Sequence, residues 1–494
     1  MTSSLETAAN PENLRRIAID PVSRVEGHGK VTILLDDKNR VHQVRLHIVE
    51  FRGFEKFIQG RPYWEVPVMV QRLCGICPVS HHLAASKALD LIVGAKHLTP
   101  TAEKIRRLMH YGQILQSHAL HFFHLCTPDL LFGFDSEISR RNIAGIAEKY
   151  PETARRGILL RKFGQEVIRH TAGKRVHGTG SVPGGVNKSL TKPERDELLQ
   201  DIYQMVAWSR EAVLMVKELH HHNPELYNSF GAFRANFMSM VGFDGGLDLY
   251  HGHLRGRNAN GDVLFDGVDY QNYTQLIEEE VKNWSYMKFP YLKSLGRELG
   301  WYRVGPLSRI QNCDFLATPL AEIERRELIA YGGAMPMHAP LAYHWARMIE
   351  MLHAAETIKD LLHDDDIMGS ELVVTGERTF EGVGVIEAPR GTLIHHYRVD
   401  ENDLITMCNL IVSTTHNNQA MNEAVRRVAQ QYLHGHEITE GLLNHIEVAV
   451  RAFDPCLSCA THALGKMPLE VEVLNEAGER LSYLARSGSG THAC

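Results

Sequence analysis

The sequence lacks an excess of basic residues and lacks any long hydrophobic run. Its 494 residues include 53 Lys and Arg against 59 Asp and Glu, giving a formal net charge of −6. No basic stripe is therefore available to bind nucleic acid. No apolar run reaches the roughly 18 residues that a membrane span needs, and residues 1–6 show no charged-then-apolar signal pattern. We expect a cytoplasmic protein with no membrane span and no nucleic-acid partner.

Cysteine is also scarce, because eight cysteines in a chain of this length are too few for a disulfide scaffold. Four of them stand alone: Cys126, Cys313, Cys408 and Cys494. Closely spaced cysteine sets, which are typical of iron–sulfur clusters, are therefore missing. The glycine-rich stretch at 178–185 has a proline at position 183, where a dinucleotide-binding fingerprint would need its third glycine.

The other four cysteines form two CxxC pairs, Cys74 with Cys77 and Cys456 with Cys459, near opposite ends of the chain. Thiolate ligands select zinc, iron–sulfur clusters or other soft transition metals. Zinc ribbons place their two pairs roughly 12 to 20 residues apart, so this much wider spacing favours a catalytic metal. A structural zinc that joins the two ends remains the alternative at this point.

The second pair lies in a segment that we predict to be the start of a helix. Asp454 can cap a helix and Pro455 fits its first turn. Cys456, Cys459 and His462 then recur every third residue, which would place them on roughly one face. His462 is either a ligand of a metal ion or a packing residue.

Three charged residues and one histidine are further candidates. Glu26 lies in a glycine-flanked loop and could relay protons or be a solvated acid. Glu55 lies among phenylalanines, where a buried carboxylate needs a cation or donor. Arg390 either braces a turn or holds a fixed positive charge over the metal pocket. We expect His81, which follows the first pair, to bond to a cysteine sulfur.

Hydrophobic periodicity predicts an α+β chain that is predominantly helical, without a linker that would split it. We predict strands at 17–19, 31–35, 41–49, 393–399, 404–412 and 469–474, and a β-rich insertion at about 238–265. The predicted helices span 64–74, 78–94, 101–126, 192–222, 272–287, 320–331, 341–362, 417–433 and 440–450. Residues 1–462 are expected to form a single domain, and residues 463–494 an extension.

Together these segments resemble the large subunit of nickel–iron hydrogenases along the full length of the chain. The matching motifs occur in the family's order at 24–28 (RVEGH), 52–55 (RGFE), 72–77 (RLCGIC) with His81, 388–391 (APRG), and 454–456 (DPC) with Cys459 and His462. Residues 71–85 and the LSCATHALG ending are most similar to the soluble, NAD-reducing bidirectional type. The resemblance implies the fold of that subunit, with a long helical core and small sheets at the N-terminus and periphery.

The resemblance also implies a role for each candidate residue. It implies that Cys74, Cys77, Cys456 and Cys459 hold nickel, and that Cys77 and Cys459 also bridge to an iron carrying carbon monoxide and cyanide. Further implied roles are a magnesium-type site at Glu55 and His462, proton transfer by Glu26, and a canopy of Arg390 and Asp454 over the open metal position. Cys456 would be the base, since a metal ion and a nearby helix start favour its thiolate.

The activity implied is the reversible heterolytic cleavage of dihydrogen, which needs a Lewis-acidic metal and a base within reach. Because the chain lacks its own cluster and dinucleotide motifs, we expect electrons to leave through a small hydrogenase subunit with an iron–sulfur cluster. Diaphorase subunits with FMN and NAD(P) would lie beyond it. The family also implies a maturation endopeptidase that cuts after His462 and releases residues 463–494.

Two other functions remain to be separated from this one. A quinone-side subunit of respiratory complex I would share the fold without a metal centre, but that lineage lacks the full set of four thiols. A zinc-stapled scaffold protein would keep the thiols without the redox chemistry. The content of nickel, iron and zinc distinguishes the three.

Overall fold

The computed structural model describes residues 14–333, 335–461, 469–474, 480–487 and 490–493. Its strands are β1 Arg15–Ile19, β2 Gly29–Leu35, β3 Val41–Ile48, β4 Ser181–Val182, β5 Gly185–Val186, β6 Asn236–Val241, β7 His253–Arg257, β8 Val263–Val268, β9 Ile277–Glu280, β10 Phe289–Leu292, β11 Tyr302–Arg303, β12 Glu381–Ala388, β13 Gly391–Val399, β14 Ile405–Ile411, β15 Leu469–Leu474, β16 Arg480–Ser487 and β17 Gly490–Ala493.

The α-helices are α1 Phe54–Phe57, α2 Val66–Met69, α3 Pro78–Ile92, α4 Pro100–Leu120, α5 Thr127–Phe132, α6 Ile143–Lys149, α7 Pro151–Ala172, α8 Lys192–His222, α9 Pro224–Ser229, α10 Tyr273–Leu276, α11 Gly296–Leu299, α12 Pro306–Asn312, α13 Pro319–Tyr331, α14 Ala342–Leu362, α15 Ser413–His416, α16 Asn418–Val428 and α17 Glu440–Ala452. Two π-helical segments, His121–Cys126 and Ala429–Leu433, continue α4 and α16.

Long helices form the core, as the sequence predicts. Helix α4 packs against α7, and α14 packs against both α8 and α4. The start of α8 is fixed by a capping box, in which Thr191 and Glu194 each bond to the other's backbone. Helix α14 is buried on nearly all sides, which is the pattern of a helix at the centre of a large protein.

Small sheets surround the helices and position the loops of the site. Strands β1, β2 and β3 form an antiparallel sheet near the N-terminus, and β12, β13 and β14 form a second one. Helix α3 lies directly on β12 and β13. At Gly384 the approach is so close that a Cβ atom would lie 2.3 Å from the Ala84 carbonyl oxygen. The β12–β13 turn is thereby held beside the start of α3.

The predicted elements agree with the structure except in two segments where the predicted helix is wrong. In the first, residues 272–287, α10 is a single turn and is followed by strand β9. Ile277 pairs with Leu292 of β10 and is buried, whereas Glu278 is exposed, so this pairing overrides helix propensity. The second exception, at residue 454, lies in the candidate site.

No described helix combines the length and apolarity needed to cross a membrane. The division into a domain of residues 1–462 and an extension of residues 463–494 stays a prediction. In the extension, β15, β16 and β17 form an antiparallel sheet.

Candidate metal centre

Three segments from distant parts of the chain meet at the candidate site: 24–29, 74–77 and 454–460. A 3₁₀ turn, Val70–Leu73, ends at Cys74, and Pro78 at the first position of α3 begins the next helix after Cys77. The segment with the second pair follows α17. Glu26 and Cys456 form a parallel β-bridge, and the Leu457 N–H donates to the Glu26 carbonyl oxygen.

This bridge explains why the helix predicted from Asp454 is wrong. Asp454 has a φ of 53°, in the left-handed region, and the only helical turn that follows within the described residues up to 461 is the short 3₁₀ segment Ser458–Ala460. Because the backbone of Cys456 and Leu457 pairs with the loop at Glu26, it does not continue as an α-helix. Cys456 and Cys459 converge through this paired loop, not along one helix face.

The two CxxC pairs form one buried cluster of thiols. The Sγ atoms of Cys456 and Cys74 are 3.3 Å apart, and those of Cys77 and Cys459 are 3.6 Å apart. All four Sγ atoms lie within 4.8 Å of one another, and none of the four residues is more than 5% exposed. The structure thus brings together the pairs that the sequence separates, and this donor set fits nickel, zinc or iron.

The protons of the cluster are unequally distributed. Hydrogen bonds from the thiols of Cys456, Cys459 and Cys77 lower the pKa of Cys74 well below its usual value. The backbone N–H groups of Ile76 and Cys77 also donate to its Sγ atom. Burial raises the pKa of both Cys456 and Cys459 well above the usual value. Metal binding would therefore release protons from these two thiols.

Arg390 and Asp454 form a buried ion pair beside the thiols. Nη2 of Arg390 donates to Asp454 Oδ1 at 3.0 Å, and Nε donates to the Asp454 carbonyl oxygen at 2.5 Å. Burial raises the pKa of Asp454, and the Arg390 guanidinium opposes this shift. Nη1 of Arg390 has no hydrogen-bond partner among the described residues. The side chain thus keeps one donor available at the site.

A small cavity of about 10 Å³ separates this ion pair from the thiols. That is roughly the room of one water molecule. Its walls include Cys77, Cys456 and Cys459 together with residues outside the sequence motifs: Ser80, Leu393, Val412, Ser413 and Thr414. Thr414 Oγ1 accepts a hydrogen bond from the Cys456 N–H at 2.9 Å. Ser413 and Thr414 carry no motif of their own, and only the pairing of β14 with β13 brings them here.

Glu26 lies against the thiol of Cys456. The Cys456 Sγ atom donates to Glu26 Oε2 at 3.0 Å, and the Ser458 N–H donates to the same oxygen at 3.2 Å. Burial raises the pKa of Glu26, and the negative charge of the Cys74 thiolate raises it further. The carboxyl group is therefore positioned to exchange a proton with the thiol.

A polar path leads outward from Glu26, and the sequence motifs do not reveal it. The Ser458 Oγ atom donates to Glu50 Oε2 at 3.4 Å, and Glu50 Oε1 lies 2.5 Å from Nδ1 of His28. The His28 side chain is 63% exposed, so the path ends at the surface. Hydrogen bonding to Glu50 raises the pKa of His28.

Glu55 lies in a second acidic pocket, only 2% exposed. Its Oε1 accepts from the Leu410 N–H at 3.0 Å and lies 3.8 Å from Lys288 Nζ. Lys288 also pairs with Glu279 at 3.2 Å, and burial raises the pKa of Glu279. Two carboxylates share this ammonium, and Glu279 Oε1 has no hydrogen-bond partner among the described residues. The pocket therefore fits a further cation; His462, the predicted second ligand, lies outside the described residues.

His81 lies one turn into α3 and lines the cavity with Cys77 and Cys459. Burial lowers its pKa to about 4. Its Nδ1 atom lies 3.1 Å from Nε2 of His395. The predicted hydrogen bond from His81 to a cysteine sulfur stays a prediction.

Comparison with known families identifies the class of protein that this fold and cluster define. Residues 52–132 and 250–462 match the family of nickel-dependent hydrogenases, and residues 16–51 match a HoxL-like family. The chain therefore belongs to the nickel-dependent hydrogenase family and is a hydrogenase catalytic subunit. The predicted family, fold and enzyme class are confirmed, and the complex I-like and zinc-scaffold alternatives are set aside.

Individual relatives narrow the comparison. The chain is 50% identical over 487 residues to the beta subunit of the NAD-reducing hydrogenase HoxS of Cupriavidus necator, covering 96% of this chain and 100% of that one. It is 41% identical over 464 residues to the vhc subunit of an F420-non-reducing hydrogenase of Methanococcus voltae, covering 92% of this chain and 96% of that one.

Solved structures agree with this comparison. A crystal structure of an NAD+-reducing [NiFe]-hydrogenase in the H2-reduced state superposes with a TM-score of 0.90 and 59% identity, covering 92% of this chain and 100% of that one. A [NiFeSe]-hydrogenase of Dm. baculatum superposes with a TM-score of 0.73 at 23% identity, covering 91% and 100% of the two chains. That second likeness shows the fold alone.

Proposed function

We propose that this chain cleaves dihydrogen reversibly within a cytoplasmic, NAD(P)-reducing assembly. The observation that carries the proposal is the buried cluster of four thiols with Glu26 Oε2 only 3.0 Å from Cys456 Sγ. A metal site and a proton acceptor in direct contact are what heterolytic cleavage of dihydrogen requires. The similarity to the C. necator protein supports NAD as the acceptor.

Four residues would hold the metals: Cys74, Cys77, Cys456 and Cys459. Nickel would bind all four sulfurs, and iron would share those of Cys77 and Cys459. When bound, the metals supply a Lewis-acidic centre that polarises dihydrogen. Burial of the thiols keeps bulk water away from this centre.

Arg390 and Asp454 would form the wall opposite the thiols. The ion pair holds the guanidinium in place, so its charge is oriented before the substrate arrives. The free Nη1 donor of Arg390 suits an anionic cyanide on the iron, and the apolar side chains of Leu393 and Val412 suit carbon monoxide. The volume of the cavity admits only a very small substrate.

Protons would leave through Cys456 and Glu26. The Cys456 Sγ atom takes the proton and passes it to Glu26 Oε2, with which it already shares a hydrogen bond. The raised pKa of Glu26 suits a carboxyl group that must both accept and release a proton. Ser458, Glu50 and His28 then continue the path to the surface.

Electrons would leave at the Cys74–Cys77 turn. Arg72 and Gly75 are exposed there, although both cysteines are buried. The neighbouring segment exposes apolar side chains at Phe57 and Trp64, each 53% exposed, which is typical of a surface that a partner covers. We place the small subunit with its iron–sulfur cluster on this face, and diaphorase subunits with FMN and NAD(P) beyond it.

The acidic pocket at Glu55 would hold magnesium together with His462. The two carboxylates against one ammonium support a divalent cation there. A maturation endopeptidase would cut after His462 and remove residues 463–494. Both steps concern the same end of the chain, so cleavage and completion of this pocket would be coupled.

Purification of the intact assembly tests these proposals. We expect equimolar nickel and iron in the chain, co-purifying iron–sulfur and flavin subunits, and hydrogen-dependent reduction of NAD or NADP. Zinc in place of nickel and iron would refute the metal assignment. Reduction of a deazaflavin without reduction of NAD(P) would refute the acceptor while leaving the hydrogenase activity intact.

A further inference from the structure

A line of buried polar side chains runs from the cavity into the β12–β13–β14 sheet. His81 Nδ1 lies 3.1 Å from His395 Nε2, and His395 Nδ1 lies 2.6 Å from the Tyr397 hydroxyl. None of the three residues is more than 1% exposed. His395 and Tyr397 are two residues apart on β13 and so share one face, which lies under α3. Neither belongs to the proton path through Glu26.

The direction of the outer hydrogen bond follows from the Tyr397 hydroxyl. Burial raises the pKa of Tyr397 well above its usual value, so the phenol keeps its proton. In the described part of the chain, His395 Nδ1 is the one hydrogen-bond partner of this hydroxyl. A buried donor left without an acceptor is unfavourable. The phenol therefore donates, and His395 Nδ1 accepts.

The remaining protons are then determined. Burial favours the uncharged imidazole, which carries one N–H. Since His395 accepts at Nδ1, its hydrogen is on Nε2, which donates to His81 Nδ1. His81 thus accepts at Nδ1 and carries its own hydrogen on Nε2. The reverse order would strand the Tyr397 proton and would turn a bare lone pair of His81 toward the thiols.

We propose that His395 and Tyr397 are positioning residues that hold His81 as its Nε2–H tautomer, so that His81 donates a hydrogen bond into the cavity of the metal centre. A donor beside thiolates stabilises their negative charge, and the partner behind an imidazole fixes which nitrogen donates. The consequence for the metals rests on the proposed function. The tautomer itself does not.

The same strand provides a matched control. Tyr273 OH lies 3.0 Å from Nδ1 of His396, and His396 Nε2 lies 2.7 Å from Glu381 Oε1. His396 is next to His395 and therefore points to the opposite face of β13. Tyr273→Phe removes a tyrosine–histidine hydrogen bond of the same kind without touching the line to His81.

Nitrogen NMR of the full chain labelled with ¹⁵N-histidine tests the tautomer. The His81 signals are assigned by their loss in His81→Gln. We expect the Nε2–H tautomer in the wild type and in Tyr273→Phe, and a mixture of tautomers in Tyr397→Phe and His395→Leu. His395→Gln should restore the wild-type signals, because an amide N–H can replace the imidazole donor.

Two results would overturn the proposal: an Nδ1–H His81 in the wild type, or an unchanged tautomer in both Tyr397→Phe and His395→Leu. Circular dichroism establishes which variants fold. If His395→Leu does not fold, the milder Tyr397→Phe decides the question alone.

Infrared spectra of the loaded enzyme provide the second measurement. We expect the carbon monoxide and cyanide bands to shift in Tyr397→Phe but not in Tyr273→Phe. Bands that coincide in the two variants would show that the His81 donor does not reach the metal centre. Absence of these bands from the wild type would contradict the proposed cofactor, while the NMR result would still decide the tautomer.

Discussion

The Cys456 thiol donates a hydrogen bond of 3.0 Å to the Glu26 carboxylate across 430 residues of sequence. The same two residues form a β-bridge, so their backbones hold the contact as well as their side chains. A proton on Cys456 Sγ therefore has an acceptor in place before any conformational change.

Replacement of Glu26 by Gln should block the proton path and leave the metals bound. General acid–base groups contribute about 10²- to 10⁴-fold, so we expect hydrogen–deuterium exchange to slow by at least about 100-fold. Isotope exchange measured by mass spectrometry checks this, with nickel content determined on the same sample. His28→Gln, at the exposed end of the path, should have a much smaller effect. An unchanged exchange rate in Glu26→Gln would remove Glu26 from the path.

Replacement of Cys456 by Ala should abolish nickel retention and activity, because one of four converging ligands is lost. Cys313→Ala is the matched control: Cys313 is equally buried but lies outside the cluster. We expect that control to keep its nickel. Metal analysis of the purified chains distinguishes the two, and an active, nickel-loaded Cys456→Ala would contradict the ligand assignment.

Replacement of Arg390 by Lys should lower kcat while the metals stay bound. A lysine keeps the charge but cannot make both contacts with Asp454, so the charge is no longer fixed in position. Loss of one preorganised electrostatic group costs roughly 10²- to 10³-fold in kcat. Arg398→Lys, on the exposed side of the same sheet, is the control. Equal rates for the two variants would exclude a catalytic canopy.

Replacement of Arg309 by Met should destabilise the fold. Arg309 is fully buried between Glu350 and Glu387 and donates to the carbonyl oxygens of Ala388 and Pro389, just before Arg390. Removing one partner of such a buried network costs about 3–5 kcal/mol. Urea unfolding measures this loss. The double variant with Glu350→Gln should recover part of it, and additive losses would argue against the network.

Stability should fall steeply in mild acid. Burial lowers the pKa of His110, His118 and His353 to about 4 from the usual 6.5. Between these values the unfolded chain binds more protons than the folded one, so the free energy of unfolding decreases as the pH falls from about 6.5 towards 4. Each group contributes up to about 1.4 kcal/mol per pH unit in that window. Urea unfolding at pH 7, 6 and 5 tests this, and His110→Gln should show a shallower dependence than the wild type.

The elements and residues whose evidence is local are predictable from the sequence. The start of α8 follows from its cap, and α4 and α14 follow from their periodicity and length. The CxxC spacing and the flanking motifs are enough to predict which four cysteines meet.

Features that depend on pairing between distant segments are not predictable in this way. Asp454 resembles a helix cap because its neighbours allow one, but the bridge to Glu26 replaces the helix. The strand at Ile277 depends on its partner Leu292, and Lys288 beside Glu55 depends on that same hairpin. His395 and Tyr397 have no motif, and their role follows only from which face of β13 lies under α3.

The meeting of segments 24–29, 74–77 and 454–460 also has a consequence for biosynthesis. Synthesis runs from the N-terminus, so Cys456 and Cys459 emerge from the ribosome after almost everything else has been made. Until then only half of the sulfur ligands exist, and the core can begin to fold around an open pocket. Any machinery that delivers nickel must therefore recognise a nearly finished polypeptide and reach the pocket before the last segment closes it.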